Sequence, residues 1–301
     1  MADKVGEQDI RGINIIRAVK GFADENSVLA QFVDTISVPT RENRWFQKTA
    51  GFLDSTDTTA ITLSQLSFVG ARGLPDVVGQ SWTRNTSYCK KFFVESETIS
   101  LEDEKDSDVM VIATTLRDLV RAINQQKDNR IYSVMIEAAA ATPLTPNPTN
   151  GLTTAATADG WDDSVTGDPI KDLMTGNRKI RAQGYSTANI ILYINPVEHE
   201  NLMGYLINVK GSSIPSFSSD LVGKDVLMNI LGNKVVVSQN ATTDYAVQFI
   251  PQVSVTWLNF GDITSAIKED EGIGKKIRVW CWGEAILTDP KSVHTITDTV
   301  V

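Results

Sequence analysis

Cysteine and histidine are scarce in this sequence, with only two of each among 301 residues. Cys89 and Cys281 lie far apart and lack the short spacing of a metal site, so we expect free thiols in a reducing cytoplasm. His199 lies in PVEHENLMG, where a zinc protease motif would require histidine at the position of Met203. We interpret His199 as a polar residue on a helix surface and His294 as a structural residue of a late strand.

Long apolar runs and nucleophile motifs are missing as well. No stretch approaches 18 uninterrupted apolar residues, which predicts a chain without a membrane span and without a membrane partner. The opening MADKVGEQDIRG lacks a basic segment followed by an apolar one, so no secretory signal is expected. The sequence contains no Gly-x-Ser-x-Gly and no complete phosphate-binding loop. We therefore expect no catalytic residue, no metal, no cofactor and no enzymatic activity.

The composition that is present suits a folded, acidic protein. A hydrophobic content of 42% is enough for a core, and the length suggests about two domains. The net charge of -9 and the pI near 4.8 favour solubility and argue against non-specific binding to nucleic acid.

Local patterns predict an α+β chain. Apolar residues at helical spacing predict a long helix over 107–126 and a second helix over 130–141. The Pro- and Thr-rich stretch 142–160 predicts a loop and a domain boundary. Asp168 and Pro169 predict the start of a further helix, ANIILYIN predicts a buried strand, and Asn195-Pro196 opens another helix. Strands dominate the rest of the chain, without the regular βαβ order of a dinucleotide fold.

The segment 70–100 does not resemble part of a compact core. Glycines and a proline interrupt its first third, and large apolar residues then alternate with basic ones. An acidic run follows over 94–108, with seven carboxylates and one lysine. An exposed ribbon of this kind is an aggregation risk unless another surface covers it.

The order of these segments resembles the major capsid proteins of tailed phages and related viruses, which share the Hong Kong 97 fold. The resemblance is carried by the stretch from Trp161 to Tyr205, by the turn before the Val-rich strand 231–237, and by VWCWGEAILTDPKSVHTITD at 279–298. It implies, in chain order, an N-terminal arm (1–40), peripheral-domain strands (41–69), an extended hairpin loop (70–98), a peripheral domain with a spine helix (99–160, helix 107–126), an axial domain (161–270) and a return to the peripheral sheet (271–301).

The resemblance also implies a function. A protein of this family assembles through pentamers and hexamers into an icosahedral head around double-stranded DNA, without sequence-specific contacts to that DNA. Its partners would be further copies of itself, a portal, and scaffold or decoration proteins, and it would be part of the virion, assembled in the host cytoplasm. An encapsulin shell with enzyme cargo has the same fold and is the alternative. A third interpretation is a small-molecule hydrolase with its site in 160–260.

Within a shell, we expect segment 70–98 to contact a neighbouring subunit. Its basic and aromatic side chains would meet acidic ones at the foot of the spine helix, with charge setting the register and aromatic rings supplying buried area. The candidate residues are Arg72, Trp82, Arg84, Lys90, Lys91, Phe92 and Phe93 on one side, and Glu102, Asp103 and Glu104 on the other. Alternatively, Trp82 and the two phenylalanines complete the core of their own subunit.

Overall fold

The computed structural model of the chain describes most of its length. The described residues are 28–50, 73, 81–106, 111–136, 152–156, 160–163, 167–208, 229–270 and 272–300. Arg72, the part of the predicted peripheral-domain strands beyond residue 50, the predicted helix start at 107–110 and most of the predicted loop 142–160 lie outside them.

Strands outnumber helices, as expected for an α+β chain. The strands are β1 (Asp34–Ser37), β2 (Glu42–Ala50), β3 (Ser81–Tyr88), β4 (Lys90–Glu95), β5 (Ile99–Ser100), β6 (Leu152–Ala155), β7 (Ile191–Ile194), β8 (Asn229–Ile230), β9 (Asn233–Val237), β10 (Tyr245–Phe249), β11 (Val255–Asp270), β12 (Gly274–Leu287) and β13 (Val293–Thr297). The helices are α1 (Leu101–Asp106), α2 (Val111–Ile136), α3 (Pro169–Ala182) and α4 (Pro196–Asn208), with a 3-10 turn at Pro290–Ser292. None of the helices in the described ranges has the length and apolar character needed to span a membrane.

The long helix α2 extends further than the sequence pattern predicts. We expected it to end at 126 and a second helix to start at 130, whereas one helix of 26 residues continues to Ile136. The polar residues at the expected break are accommodated inside the helix. Asp128 is buried and accepts hydrogen bonds from the backbone N–H groups of Val28 (2.7 Å) and Leu29 (3.3 Å). The Lys127 ammonium lies 4.8 Å from the centre of the Trp257 ring.

The described residues form two compact units. The first, called here the five-stranded unit, contains residues 28–41, 88–133 and 257–285. Its sheet has the order β1-β11-β12-β4, and β5 pairs with the same edge of β12 as β4 does. Helix α2 covers one face of this sheet, where Val120 and Ile123 belong to a cluster with Ile277, Val279 and Cys281.

The second unit, called the six-stranded unit, has a sheet in the order β6-β13-β10-β7-β9-β8. β7 pairs in parallel with β9 and antiparallel with β10, so it lies in the middle of the sheet. All four β7 residues are buried, as expected for a central strand with both faces covered. Leu173 of α3 and Leu202 and Leu206 of α4 pack with Leu192 and Ile194 of β7. The ribbon of β2 and β3 is grouped with this unit.

The predicted domain boundaries stay a prediction, and the two units group the strands by their contacts. Residues 257–270, expected in the axial domain, form part of the sheet covered by α2, whereas β13, expected to return to the peripheral sheet, pairs with β10 and β6. The extended loop 70–98 also divides, because β3 pairs with β2 and β4 pairs with β12. A strand pattern indicates which residues alternate, but its pairing partner depends on contacts distant in sequence.

Candidate inter-subunit surface

The two faces of the five-stranded sheet have different surroundings. Along β4, Phe92 and Val94 pack towards α2, so the alternating residues Lys91, Phe93 and Glu95 lie on the opposite face. The antiparallel register with β12 places Trp282 opposite Lys91 and Trp280 opposite Phe93. The uncovered face therefore carries aromatic rings around a lysine.

Lys91 lies over three of these rings. Its Nζ is 4.6 Å from the centre of the Phe93 ring, 5.2 Å from that of Trp282 and 5.6 Å from that of Trp280. Phe260 of β11 adds an edge-to-face contact with Trp282 at 5.9 Å between ring centres. Each cation–ring contact at an exposed site contributes about 0.5–1 kcal/mol. We call Lys91, Phe93, Phe260, Trp280 and Trp282 the outer aromatic face.

This face leaves much apolar surface in contact with water. Phe93 is 48% exposed and Phe260 is 39% exposed. The far half of β11 is exposed on both sides over residues 262–269, and Ile267 is 53% exposed. Clustered exposed aromatic and aliphatic side chains are typical of surfaces that another protein covers.

Two of the predicted contact residues serve their own subunit. Lys90 Nζ lies 3.6 Å from Glu284, whose other carboxylate oxygen accepts a hydrogen bond from Arg130 Nε at 2.5 Å. Glu284 is only 3% exposed, so these two cations are the partners of a buried carboxylate. Phe92 is half-buried and its ring centre lies 6.1 Å from that of Trp257. For Phe92, the alternative of a core residue agrees with the structure.

The acidic run is partly neutralised within the chain. Glu95 accepts from Arg278 Nε at 2.9 Å, and Glu104 accepts from Lys275 Nζ at 2.9 Å. That hydrogen bond raises the pKa of Lys275. Glu97 and Glu102 are exposed, and within the described ranges neither forms an ion pair. We call Glu97 and Glu102 the acidic strip.

Comparison with known proteins identifies the kind of protein that has this geometry. A family model described as phage capsid protein matches residues 93–296, more than half of the chain. The chain belongs to the phage capsid protein family. No curated protein sequence matches it.

Solved capsid structures share the fold at low sequence identity. A virus-like particle from Pyrococcus furiosus matches with a TM-score of 0.60 and 13% identity, over 94% of this chain and 97% of that one. Mycobacterium phage Che8 matches with a TM-score of 0.62 and 14% identity, over 91% and 92% of the two chains. The capsid of a native GTA particle matches with a TM-score of 0.65 and 10% identity, over 90% of each chain. The resemblance to the Hong Kong 97 fold is confirmed, and this capsid protein is structural, not enzymatic.

The two cysteines and His294 of the capsid protein are buried inside the fold. Cys89 and Cys281 are free, as predicted, and burial raises the pKa of Cys281 to about 11. His294 is fully buried between Thr154 and Gln248, and burial lowers its pKa to about 3, so it stays neutral near pH 7. Among the residues that the structure describes, no group of His, Cys, Asp and Glu could hold a metal ion.

The remaining predicted contact residues of the capsid protein are less informative. Arg84 is exposed on β3. Trp82 also belongs to β3, but its side chain and that of Asp103 lie outside the described part, as does the whole of Arg72. Sequence reasoning missed Phe260, Trp280 and Trp282. The alternation in VWCWG was the available signal, because a strand with small apolar residues on one face and tryptophans on the other has two apolar faces.

Proposed function

We propose that this capsid protein assembles with copies of itself, as pentamers and hexamers, into an icosahedral head that encloses double-stranded DNA. The supporting observation is the family match over residues 93–296, together with a fold shared with capsid structures over about nine-tenths of the chain. In this proposal the protein is a virion component that assembles in the host cytoplasm. Its further partners are a portal and scaffold or decoration proteins.

The physical properties of the five-stranded unit support a role that depends on assembly. One face of its sheet is filled by α2, whereas the other exposes Phe93 and Phe260 to water. Burying apolar surface stabilises an interface by roughly 25 cal/mol per Å² before the cost of association. A shell repeats each contact many times, so individually weak contacts are sufficient. The net charge of -9 agrees with a container whose lining does not bind DNA tightly.

A shell that holds enzyme cargo, as in encapsulins, is the second candidate. The observation in its favour is the match to the Pyrococcus furiosus virus-like particle over 97% of that chain. The two candidates share the wall and differ in the contents. Particles isolated from the natural producer and treated with nuclease would contain protected double-stranded DNA in the first case, and a co-purifying enzyme in the second.

The experiment that tests assembly is electron microscopy with light scattering on the purified protein expressed alone. We expect closed shells, or flat sheets of five- and six-membered rings. A monomer that persists at high concentration, and also when supplied with the scaffold and portal proteins of its own gene cluster, would overturn the proposal.

A further inference from the structure

We propose that neighbouring copies of the chain bind head to tail, with the outer aromatic face of one copy on the acidic strip of the next. This inference rests on the proposed assembly function and names the side chains that would carry one of its contacts. Its occupant is a second copy of this chain.

The apolar part of the contact comes from the aromatic face. Phe93 and Phe260 are the exposed rings, and Trp280 and Trp282 form the partly covered floor beneath Lys91. Tryptophan, phenylalanine and the aliphatic stem of a lysine offer area that a partner can desolvate at little conformational cost. A surface with one central cation favours a partner that offers a carboxylate.

The charges of the five-stranded unit indicate which carboxylates remain available. Most cations of this sheet are already engaged, as the pairs Lys90–Glu284, Lys268–Asp270, Lys275–Glu104 and Arg278–Glu95 show. Within the described residues, Lys91 and Lys276 form no ion pair with a carboxylate, and Lys91 lies over aromatic rings. Asp34, Glu97 and Glu102 are among the exposed carboxylates of this unit that form no ion pair within the described residues, and Glu97 and Glu102 are the two that belong to the acidic run. The chain thus carries a cationic apolar patch and an anionic patch, each without an oppositely charged partner in the described ranges.

The positions of the two patches determine the symmetry of the contact. Lys91 lies near the start of β4, and the acidic strip follows the end of β4, so one patch does not coincide with the other. A contact between two different patches of identical subunits is heterologous, and it closes into a ring when the rotation between neighbours allows it. Head-to-tail pairing of the face with the strip is therefore a heterologous contact, and within the proposed pentamers and hexamers it closes a ring.

Two charge-reversal variants test the contact. Lys91→Glu places a carboxylate on the aromatic face, opposite the acidic strip of its neighbour. Glu97→Lys with Glu102→Lys makes the strip basic, opposite the unchanged Lys91. We expect each variant to raise the concentration required for half-assembly about tenfold or more. Lys171→Glu is the control, because it makes the same charge change as Lys91→Glu at an exposed site of the six-stranded unit and should assemble as the wild type does.

Mixing the two variants gives the sharpest outcome. In a ring of one variant alone, the face and the strip that meet carry the same charge and repel each other. In a ring where the two variants alternate, each aromatic face meets an acidic-strip position of opposite charge. Alternation is possible only around an even-numbered ring, so the mixture should recover hexamers and flat hexamer sheets without pentamers. The single chain carrying all three substitutions restores every contact and should recover pentamers too. Recovery in neither case, or recovery only of closed dimers, would overturn the inference.

The controls separate this inference from the proposed function. If the wild type forms no shells under any condition, the proposed function fails. If the wild type forms shells and Lys91→Glu forms them equally well, only the contact is wrong. Lys91→Met removes the charge and keeps an aliphatic side chain. It therefore tests the contact even if the Lys91→Glu variant does not fold. The Lys91→Glu and Lys91→Met variants should both retain the wild-type circular dichroism spectrum and urea midpoint. The Lys91→Met variant should assemble less well than the wild type.

Discussion

The two units of the chain differ in how far their strands are buried. In the six-stranded unit, the polar side chains of Gln248 and His294 are fully buried and bonded to each other, and β7 is buried along its whole length. In the five-stranded unit, half of the longest strand is exposed and rings lie on an uncovered face. Both units expose some apolar side chains, such as Met174 and Val253 in the six-stranded unit, but the exposed rings of the five-stranded unit lie together on one face of its sheet.

In the proposed shell, the buried strands would stabilise the fold of each subunit, and the exposed rings would contribute to association. Substitutions inside a core should therefore change the free energy of unfolding, whereas substitutions on the outer aromatic face should change assembly.

The largest effect is expected inside the five-stranded unit, at a residue beneath the exposed surface. Glu284→Gln removes the charge that pairs with Arg130, which is only 18% exposed. Breaking one partner of a buried ion pair costs about 3–5 kcal/mol, so the urea midpoint should fall strongly. Lys90→Gln removes the other, exposed cation and should cost less than about 1 kcal/mol. Equal losses from both variants would contradict a buried carboxylate with one dominant partner.

A pH effect of intermediate size is expected in the six-stranded unit. His294 has a pKa near 3 in the folded chain, because it is buried and close to Lys179, and an ordinary value of 6.5. The unfolded chain therefore binds the proton first, and stability is complete above pH 6.5 and is lost as the pH falls towards 3. Linkage predicts a loss of about 2 kcal/mol between pH 7 and pH 5.

The measurement is urea unfolding at a series of pH values. His294→Gln cannot titrate, so its free energy of unfolding should change less over the same pH range, whatever its absolute value. A variant whose stability has the wild-type slope between pH 7 and pH 5 would assign the effect to other groups.

The smallest effect compares two glycines on helices of the same unit. A methyl group on Gly176 would overlap the Gln248 side-chain oxygen and lie 2.6 Å from His294 Nδ1, so Gly176→Ala should destabilise by about 1–2 kcal/mol. Gly204 has nothing within 4 Å of that position, and Gly204→Ala should stabilise its helix by up to about 1 kcal/mol. Thermal unfolding should thus shift in opposite directions for the two variants. If the unfolding temperature shifts in the same direction for both variants, Gly176 of α3 does not pack against the Gln248 side chain as described.

Local features of the six-stranded unit were predictable from the sequence. Helix α3 begins at Pro169 with the Asp168 side chain accepting from the Lys171 N–H, and Gly184 follows its end with φ of 89°. The strand within ANIILYIN is β7, and α4 starts at Pro196. Each of these signals acts over a few residues, through a cap, a fixed φ or an apolar run.

The surface of the five-stranded unit was only partly predictable. Lys90 and Lys91 are adjacent and identical in sequence, yet one pairs with a buried carboxylate 194 positions later and the other lies on aromatic rings. Alternation along β4 predicts opposite faces for them, but the identity of each face depends on β12 and α2. No local pattern specifies that β12 is the neighbour.

By itself, the sequence determined the α+β class, the starts of α3 and α4, and the resemblance to capsid proteins. It also showed that Cys89 and Cys281 do not have the spacing of a metal site. These features depend on residues close together in the chain or on the order of segments. Only the tertiary structure decided that α2 runs unbroken to Ile136, that β11 joins the five-stranded sheet, and that Lys91 rather than Lys90 lies among the outer rings. The physical reason is that the burial and pairing of a side chain depend on elements that are distant in sequence. Those elements come into contact only when the chain folds.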